Sequence, residues 1–220
     1  MITCNCPAAA ALPSIGVLTC GENFGQIQKL IFQRVKKSDG SKNGLVAADA
    51  VKLAKWQPLL AANDDTKIVV TPYVSAPATE PGSPRTFGGG NDSVDGIEEI
   101  IGTEPTAFTG VFRKLPQSMV KKMKEIACES QMGGNIGVYL IGEGGRIGCV
   151  ADETTQDQTT VKTYRPIPIR SLFFGDKNFG GLEEPDSNAV QWSFPPNYSD
   201  DFSILVPEDF NPLTDLVETA

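Results

Sequence analysis

The sequence contains no histidine among its 220 residues, and this absence excludes several kinds of site. Without an imidazole there is no Ser-His-Asp triad and no Cys-His nucleophile pair. Zinc sites with histidine ligands, haem with an axial histidine and an imidazole proton shuttle are excluded for the same reason. Most hydrolase chemistry near neutral pH is thereby removed, so we expect a protein that is not an enzyme.

Cysteine is also scarce, with five residues at irregular positions, namely Cys4, Cys6, Cys20, Cys128 and Cys149. An odd number at such spacings is unsuited to a disulfide framework. The CxC pair near the start lacks the two-residue spacer of a zinc knuckle, and no second pair lies nearby to complete four ligands. We predict reduced thiols, no metal site and no cofactor.

Long apolar runs are missing as well, since no stretch approaches the roughly 20 consecutive apolar residues of a transmembrane helix. The first residues, MITCNCPAAAALPSIGVL, contain no positive charge, and Pro7 and Pro13 interrupt their apolar run. This pattern does not match a secretory signal. We expect a protein that is made and used without export and that contacts no membrane.

The composition itself is that of an ordinary folded protein, with 40% hydrophobic and 21% charged residues. Glycine and proline together account for 38 of the 220 residues. This share of about 17% exceeds the usual share of about 12%. This excess favours turns, long loops and strands over a helical bundle. We predict an extended N-terminal arm at 1–25 and a single β-rich domain at 26–220, with a long Pro/Gly loop at 75–93 and an acidic C-terminal region.

Residue patterns within this domain predict an α+β fold that is mainly antiparallel β. The clearest helix is 116–131, where Met119, Val120, Met123, Ile126 and Ala127 form one apolar stripe. A shorter helical segment is predicted at about 49–62. Strands are predicted at 26–36, 67–74, 96–102, 106–113, 136–141, 146–150, 159–174, 190–194 and 202–206. We expect a β-sandwich or barrel with one flanking amphipathic helix.

Charge is distributed unevenly along the chain, whose formal net charge is −8. Residues 151–220 contain 13 acidic and 4 basic residues, whereas residues 1–150 contain 14 acidic and 15 basic residues. The two regions are either two solvated faces or surfaces that meet when copies stack. On the second interpretation the candidate inter-subunit contacts are Lys29, Arg34, Lys36, Lys37, Glu183, Glu184, Asp200, Asp201, Glu208 and Asp209.

Two further patterns keep other function classes open. Adjacent carboxylates, such as Asp64/Asp65 and Asp200/Asp201, would suit a glycosidase only if two of them faced each other across a cleft. An aromatic cluster of Trp192, Phe194, Tyr198 and Phe202 would suit glycan binding if it were exposed, although alternating strand positions favour a core. Tight nucleic-acid binding is not expected of a chain this acidic.

Several stretches, taken in their order along the chain, resemble tail or other virion structural proteins of tailed bacteriophages, particularly those of Bacteroidota hosts. They are GENFGQIQKLIFQRV, AKWQPLLAANDDTKIVVTPYV, GGGNDSVDGIEEIIGTEPTAFTGVFRKLPQSMVKKMKEIA, IGVYLIGEGGRI, PIPIRSLFFGDKNFGG and VQWSFPPNYSDDFSILVPEDFNPLTDL. The resemblance covers most of the chain from about residue 20.

This resemblance implies a tail tube subunit, with a β-sandwich flanked by a helix and self-assembly into stacked rings, hexameric in that family. Arms and long loops would link the rings, viral DNA would pass through the lumen as non-specific cargo, and other virion proteins would be partners. The implied location is the virion, assembled in the host cytoplasm. A capsid decoration protein, a connector, a baseplate subunit and a host-binding module remain alternatives.

Overall fold

The structure is a computed structural model that describes residues 16–17, 23–156 and 159–217. Most of the arm predicted at 1–25 therefore lies outside the described residues. The chain divides into two compact units. The described residues of the first unit are 16–17, Asn23 and Ser83–Glu104, and we call its segment Ser83–Glu104 the hairpin unit. We call the second unit, Phe24–Gly82 together with the chain from Pro105 onward, the main unit.

The described residues contain three α-helices and fourteen strands. The helices are α1 (Ala47–Ala50), α2 (Leu53–Ala61) and α3 (Gln117–Gly133). The strands are β1 (Ile27–Arg34), β2 (Leu45–Val46), β3 (Ile68–Val70), β4 (Val74–Glu80), β5 (Pro84–Gly88), β6 (Glu98–Thr103), β7 (Thr106–Arg113), β8 (Ile136–Gly142), β9 (Ile147–Gln156), β10 (Thr159–Arg165), β11 (Ile167–Pro168), β12 (Arg170–Asn178), β13 (Ser187–Phe194) and β14 (Phe202–Leu205).

The main unit contains two antiparallel sheets. Eight strands form the larger sheet, in the order β2-β10-β9-β8-β1-β3, with β11 also paired to β8 and β14 to β9. Four strands form the smaller sheet, in the order β12-β13-β7-β4. The predicted α+β class with mainly antiparallel strands is confirmed.

Alternation along the central strands of the larger sheet divides the interior into two cores. On β1, Leu30 and Phe32 pack into a core shared with the smaller sheet, whereas Ile31 packs into a core on the opposite face. On β8, Val138 belongs to the first core and Tyr139 to the second. Because neighbouring residues of a strand point to opposite faces, both faces of these strands are buried and their sequences are almost continuously apolar.

Helices and the C-terminal segment cover the second core. Trp56 of α2 is buried there, its ring meets that of Tyr139 edge-on at 5.3 Å, and its Nε1 donates to the carbonyl oxygen of Ala50 at 2.8 Å. Leu60 and Leu216 also contribute. The predicted helical segment at 49–62 is thus two short helices, and the extended Lys52 separates them.

Helix α3 forms where the apolar stripe predicts it and packs against the first core. Met123 and Ala127 are buried, and Val120 and Ile126 are half-buried. The helix ends at Gly133, and the next residue, Gly134, adopts a left-handed conformation at φ 60° and donates its N–H to the carbonyl oxygen of Ser130 at 2.9 Å. This geometry is the common glycine C-cap.

The segment 75–93 differs most from its prediction as one long loop, because it contains the rest of β4 and all of β5. Pro77 lies within β4, an edge strand, and Pro84 is the first residue of β5. Both are positions where a strand tolerates the missing N–H of proline. Residues 83–104 belong to the unit that contains the hairpin, and the predicted single domain at 26–220 stays a prediction.

Candidate assembly surfaces

The hairpin unit is built by two short antiparallel strands and a glycine-rich turn. Phe87 of β5 lies opposite Glu99 of β6, and Thr86 lies opposite Ile100. Gly88, Gly89 and Gly90 all have positive φ, which residues with a side chain rarely adopt. The Ser93 hydroxyl accepts a hydrogen bond from the Gly89 N–H at 2.9 Å and so closes the turn.

The hairpin unit has no buried residue, and its large apolar side chains are exposed. Their exposed fractions lie between 62% and 87%, for Phe87, Val94, Ile97, Ile100 and Ile101. Phe87 and Ile100 occupy adjacent cross-strand positions and therefore point to opposite faces of the two-stranded ribbon. Both faces thus expose apolar surface, and an isolated two-stranded hairpin is only marginally stable in water.

The hairpin unit is also acidic. Residues 84–103 contain one basic residue, Arg85, and four acidic residues, Asp92, Asp95, Glu98 and Glu99. The chain enters it after β4 and leaves it before β7, and β4 pairs with β7 through Glu80 and Ala107. The hairpin unit therefore lies, in sequence, between two paired strands of the smaller sheet.

Three of the predicted inter-subunit residues are engaged within the chain. Lys29 Nζ donates to the carbonyl oxygen of Leu213 at 2.6 Å, and partial burial lowers its pKa. Arg34 pairs with Glu129 at 2.5 Å and with Asp65 at 3.4 Å, and the hydrogen bond with Glu129 raises the pKa of Arg34. The Asp209 carboxylate accepts from the Leu53 N–H at 2.7 Å and so serves the start of α2.

The other seven predicted residues differ in their surroundings. Asp200 and Asp201 line a cleft of about 570 Å³ in the main unit. The remaining five form no ion pair with any residue from 23–156 or 159–217, and they are Lys36, Lys37, Glu183, Glu184 and Glu208. Their predicted role in contacts between copies stays a prediction.

Charges in the cleft neutralise one another. Asp152 lies between Lys42 Nζ at 2.9 Å and Arg165 Nε at 3.0 Å, and the hydrogen bond with Lys42 lowers the pKa of Asp152. Lys162 and Glu153 also line the cleft. A carboxyl group with a lowered pKa stays ionised and is a poor proton donor at neutral pH.

The adjacent carboxylates of Asp64 and Asp65, outside this cleft, stabilise loops. Asp64 accepts from the Thr66 N–H and hydroxyl, at 2.8 and 2.5 Å, and these bonds lower its pKa. Asp65 accepts from the N–H and hydroxyl of Ser38, which lowers the pKa of Asp65. These interactions are typical of loop stabilisation.

The aromatic cluster considered for glycan binding lies mainly in the first core. Trp192 stacks on Phe108 with ring centroids 3.8 Å apart, and Phe194 is fully buried. Tyr198 stacks on Phe194 at 4.5 Å, and Phe202 meets Phe24 edge-on. These rings are occupied by packing within the chain and do not form an open aromatic platform.

A second exposed apolar surface, which the sequence analysis did not identify, lies in the loop between β12 and β13. Phe179 is 80% exposed, and Leu182 is fully exposed. The base of this loop is fixed by Asp186, whose backbone oxygen accepts from the Lys114 N–H and whose carboxylate accepts from the Gly180 N–H. The run Phe179-Gly180-Gly181-Leu182, apolar residues around a flexible pair of glycines, was the available signal.

Three further observations concern metal ligands, membrane-spanning helices and thiols. Within residues 16–17, 23–156 and 159–217, no group of three or more cysteine, aspartate or glutamate side chains could hold a metal ion. No helix of the described part of the chain is long and apolar enough to cross a membrane. Cys128 is exposed and Cys149 is buried as free thiols, and Cys4, Cys6 and Cys20 lie outside the described residues.

Comparison with known proteins gives no match among family models, curated proteins or solved structures.

Proposed function

We propose that this protein is a self-assembling structural subunit of a virion, whose copies stack into a phage tail tube through which DNA passes. The observation that carries the proposal is the hairpin unit, which exposes five large apolar side chains and has no core of its own. Such a segment requires a partner surface to become stable, and a second copy of the chain supplies one in a self-assembling protein.

Burying the exposed apolar side chains of the hairpin unit between copies would stabilise an assembly. Fully burying one Val, Ile or Phe side chain stabilises a structure by about 1.5–3 kcal/mol. Five such side chains can contribute on the order of 10 kcal/mol, which is comparable with the estimated entropic cost of association. Apolar residues on both faces of the ribbon suit insertion between copies better than docking on a single flat surface.

Further support comes from the fold class and the order of the sequence segments. A mainly antiparallel sandwich with one flanking helix is what the resemblance to tail tube proteins implies. The acidic net charge of −8 suits a lumen along which DNA moves without adhering. We propose hexameric rings on the same resemblance.

Light scattering of hairpin variants tests the proposal. The double variant Phe87→Ser/Ile100→Ser removes one apolar side chain from each face of the ribbon. A matched control is Val206→Ser/Val217→Ser, because these two valines of the main unit are 60% and 62% exposed, close to Phe87 and Ile100. We expect wild type and control to form particles of high mass with rising concentration, and the hairpin variant to remain of low mass.

The proposal is contradicted if wild type stays monomeric at the highest concentration reached. It is equally contradicted if the hairpin variant assembles with the same concentration dependence as wild type.

A further inference from the structure

The two exposed apolar surfaces of this chain are connected to opposite ends of one strand. The hairpin unit joins β7 just before Thr106, its first residue. At the other end of β7, Arg113 pairs with Ser187, the residue that follows the β12–β13 loop. We call Arg113, Lys114 and the loop residues Phe179–Asp186 the loop-end surface.

Resting on the proposed function, we propose that the loop-end surface is the docking site for the hairpin unit of the next copy. Each copy would then contribute its hairpin unit to one neighbour and its loop-end surface to another. A contact between two different surfaces of the same chain is heterologous, and it propagates into a ring, a stack or a filament instead of closing as a dimer.

Both surfaces expose apolar side chains, which would be buried if the two surfaces met. Phe179 and Leu182 are exposed on a loop whose base is held in place by Asp186, so the docking site is already positioned in the single copy. The Lys177 side chain adds to this support, since its Nζ donates to the carbonyl oxygen of Leu115 at 3.1 Å and pairs with Asp186 at 3.5 Å. A site that is ordered before binding loses little entropy on association.

The charges are complementary as well. The hairpin strands and turn, 84–103, have one basic and four acidic residues. The loop-end surface has two basic residues, Arg113 and Lys114, and three acidic residues, and the flanking residues 115–124 and 176–178 add four lysines and one aspartate, so that the whole region has six basic and four acidic residues. Two of those acids, Asp176 and Asp186, are already paired with Lys124 and Lys177. Arg113 and Lys114 form no ion pair with any described residue and are free to meet Glu98 and Glu99 of a neighbour.

Photo-crosslinking identifies the docking site directly. The full chain is prepared with p-benzoylphenylalanine in place of Phe87, allowed to assemble, irradiated and digested. No lysine or arginine follows Lys177, so trypsin releases residues 178–220 as one peptide, and cleavage at Glu183 and Glu184 narrows the position within it. We expect crosslinks between copies at Phe179–Asp186. The same probe at Val206 is the control and should not label that loop.

Charge exchange provides a second, independent test. Glu98→Lys/Glu99→Lys gives a basic hairpin unit, and Arg113→Glu/Lys114→Glu gives an acidic loop-end surface. Each variant alone should lose at least tenfold in assembly at low salt, whereas an equimolar mixture should recover assembly, because basic hairpins meet acidic loop ends and the unchanged surfaces still match. Circular dichroism of each variant checks that it is folded.

The outcomes separate this inference from the proposed function. Assembly with crosslinks to another segment, or a mixture that assembles no better than its components, overturns the loop-end assignment and leaves the self-assembling function standing. Failure of the wild-type chain to assemble overturns both.

Discussion

Phe108 of β7 and Phe87 of β5 show how strongly position decides the role of one residue type. Phe108 is fully buried, and its ring stacks on Trp192 at 3.8 Å in the first core. Phe87 is 63% exposed and contacts no core. The first stabilises the single copy, and the second, in our account, stabilises only the assembly.

This contrast predicts the effects of alanine at each site. Phe108→Ala should lower the free energy of unfolding by about 3–5 kcal/mol, because it removes a buried aromatic ring and leaves a cavity. Phe87→Ala is the matched control and should change it by less than about 0.5 kcal/mol in the unassembled protein. Denaturant unfolding followed by tryptophan fluorescence measures both. Equal effects of the two substitutions would contradict the assignment of the core.

Cys149 gives a prediction for alkaline pH. Burial raises the pKa of the Cys149 thiol from 9.0 to about 12. The unfolded chain ionises this thiol first, so its contribution to stability is complete below pH 9 and is lost as the pH rises towards 12. The free energy of unfolding of wild type should fall more steeply than that of Cys149→Ala in this range, by up to about 1.4 kcal/mol per pH unit. Parallel curves for the two proteins would contradict it.

At the scale of elements, the end of α3 offers two adjacent glycines in different conformations. Gly134 has a left-handed φ of 60°, whereas Gly133 is the last residue of the helix, and nothing lies within 4 Å of a Cβ added to either. Gly134→Ala should destabilise the protein by about 1 kcal/mol, since only its backbone conformation is penalised. Gly133→Ala should instead leave stability unchanged or raise it by up to about 1 kcal/mol. Thermal unfolding compares them, and a reversed order would contradict this C-cap.

A second prediction concerns the removal of the hairpin unit. Neither core contains a residue from 83–104. Replacing that segment with an Asn-Gly turn, which joins antiparallel strands, should therefore leave the midpoint of thermal unfolding within a few degrees of wild type while abolishing assembly. A large drop in the midpoint would show that the main unit depends on the hairpin unit.

Elements with strong periodicity could be predicted from the sequence, and others could not. The stripe of α3 and the alternation of β7 depend on local spacing, and the structure has both. β4 and β5 were missed because their prolines and glycines indicate a loop unless one knows which strands lie at an edge. The run Phe179-Gly180-Gly181-Leu182 indicates a loop with apolar residues, but the exposure of Phe179 and Leu182 depends on which residues pack elsewhere in the fold.

At the scale of the whole molecule, charge was the sequence feature that pointed to assembly, and the structure refines its placement. Lys29 and Arg34, predicted to meet a neighbour, have partners within the chain, and Asp200 and Asp201 lie in a cleft with lysine and arginine side chains. Charged residues that form no ion pair with a described residue and lie beside exposed apolar side chains include Glu98 and Glu99 of the hairpin unit and Arg113, Lys114, Glu183 and Glu184 of the loop-end surface. In the proposed contact, the opposite signs of Glu98 and Glu99 on one copy and of Arg113 and Lys114 on the next give assembly a direction.

This arrangement predicts a dependence on salt. Attraction of Glu98 and Glu99 of one copy to Arg113 and Lys114 of the next acts over about 10 Å at 0.1 M salt and about 3 Å at 1 M. The initial rate of assembly should therefore fall severalfold between these concentrations, and the rate for Arg113→Glu/Lys114→Glu should not. Stopped-flow light scattering measures the rates, and a wild-type rate that rises with salt would contradict the proposed pairing.

Electron microscopy of the negatively stained protein, prepared over a range of concentrations, shows directly whether its copies assemble. We expect rings or tubes of one uniform width, whose number increases with concentration. Single particles of the size of one 23.5 kDa chain at every concentration would contradict it.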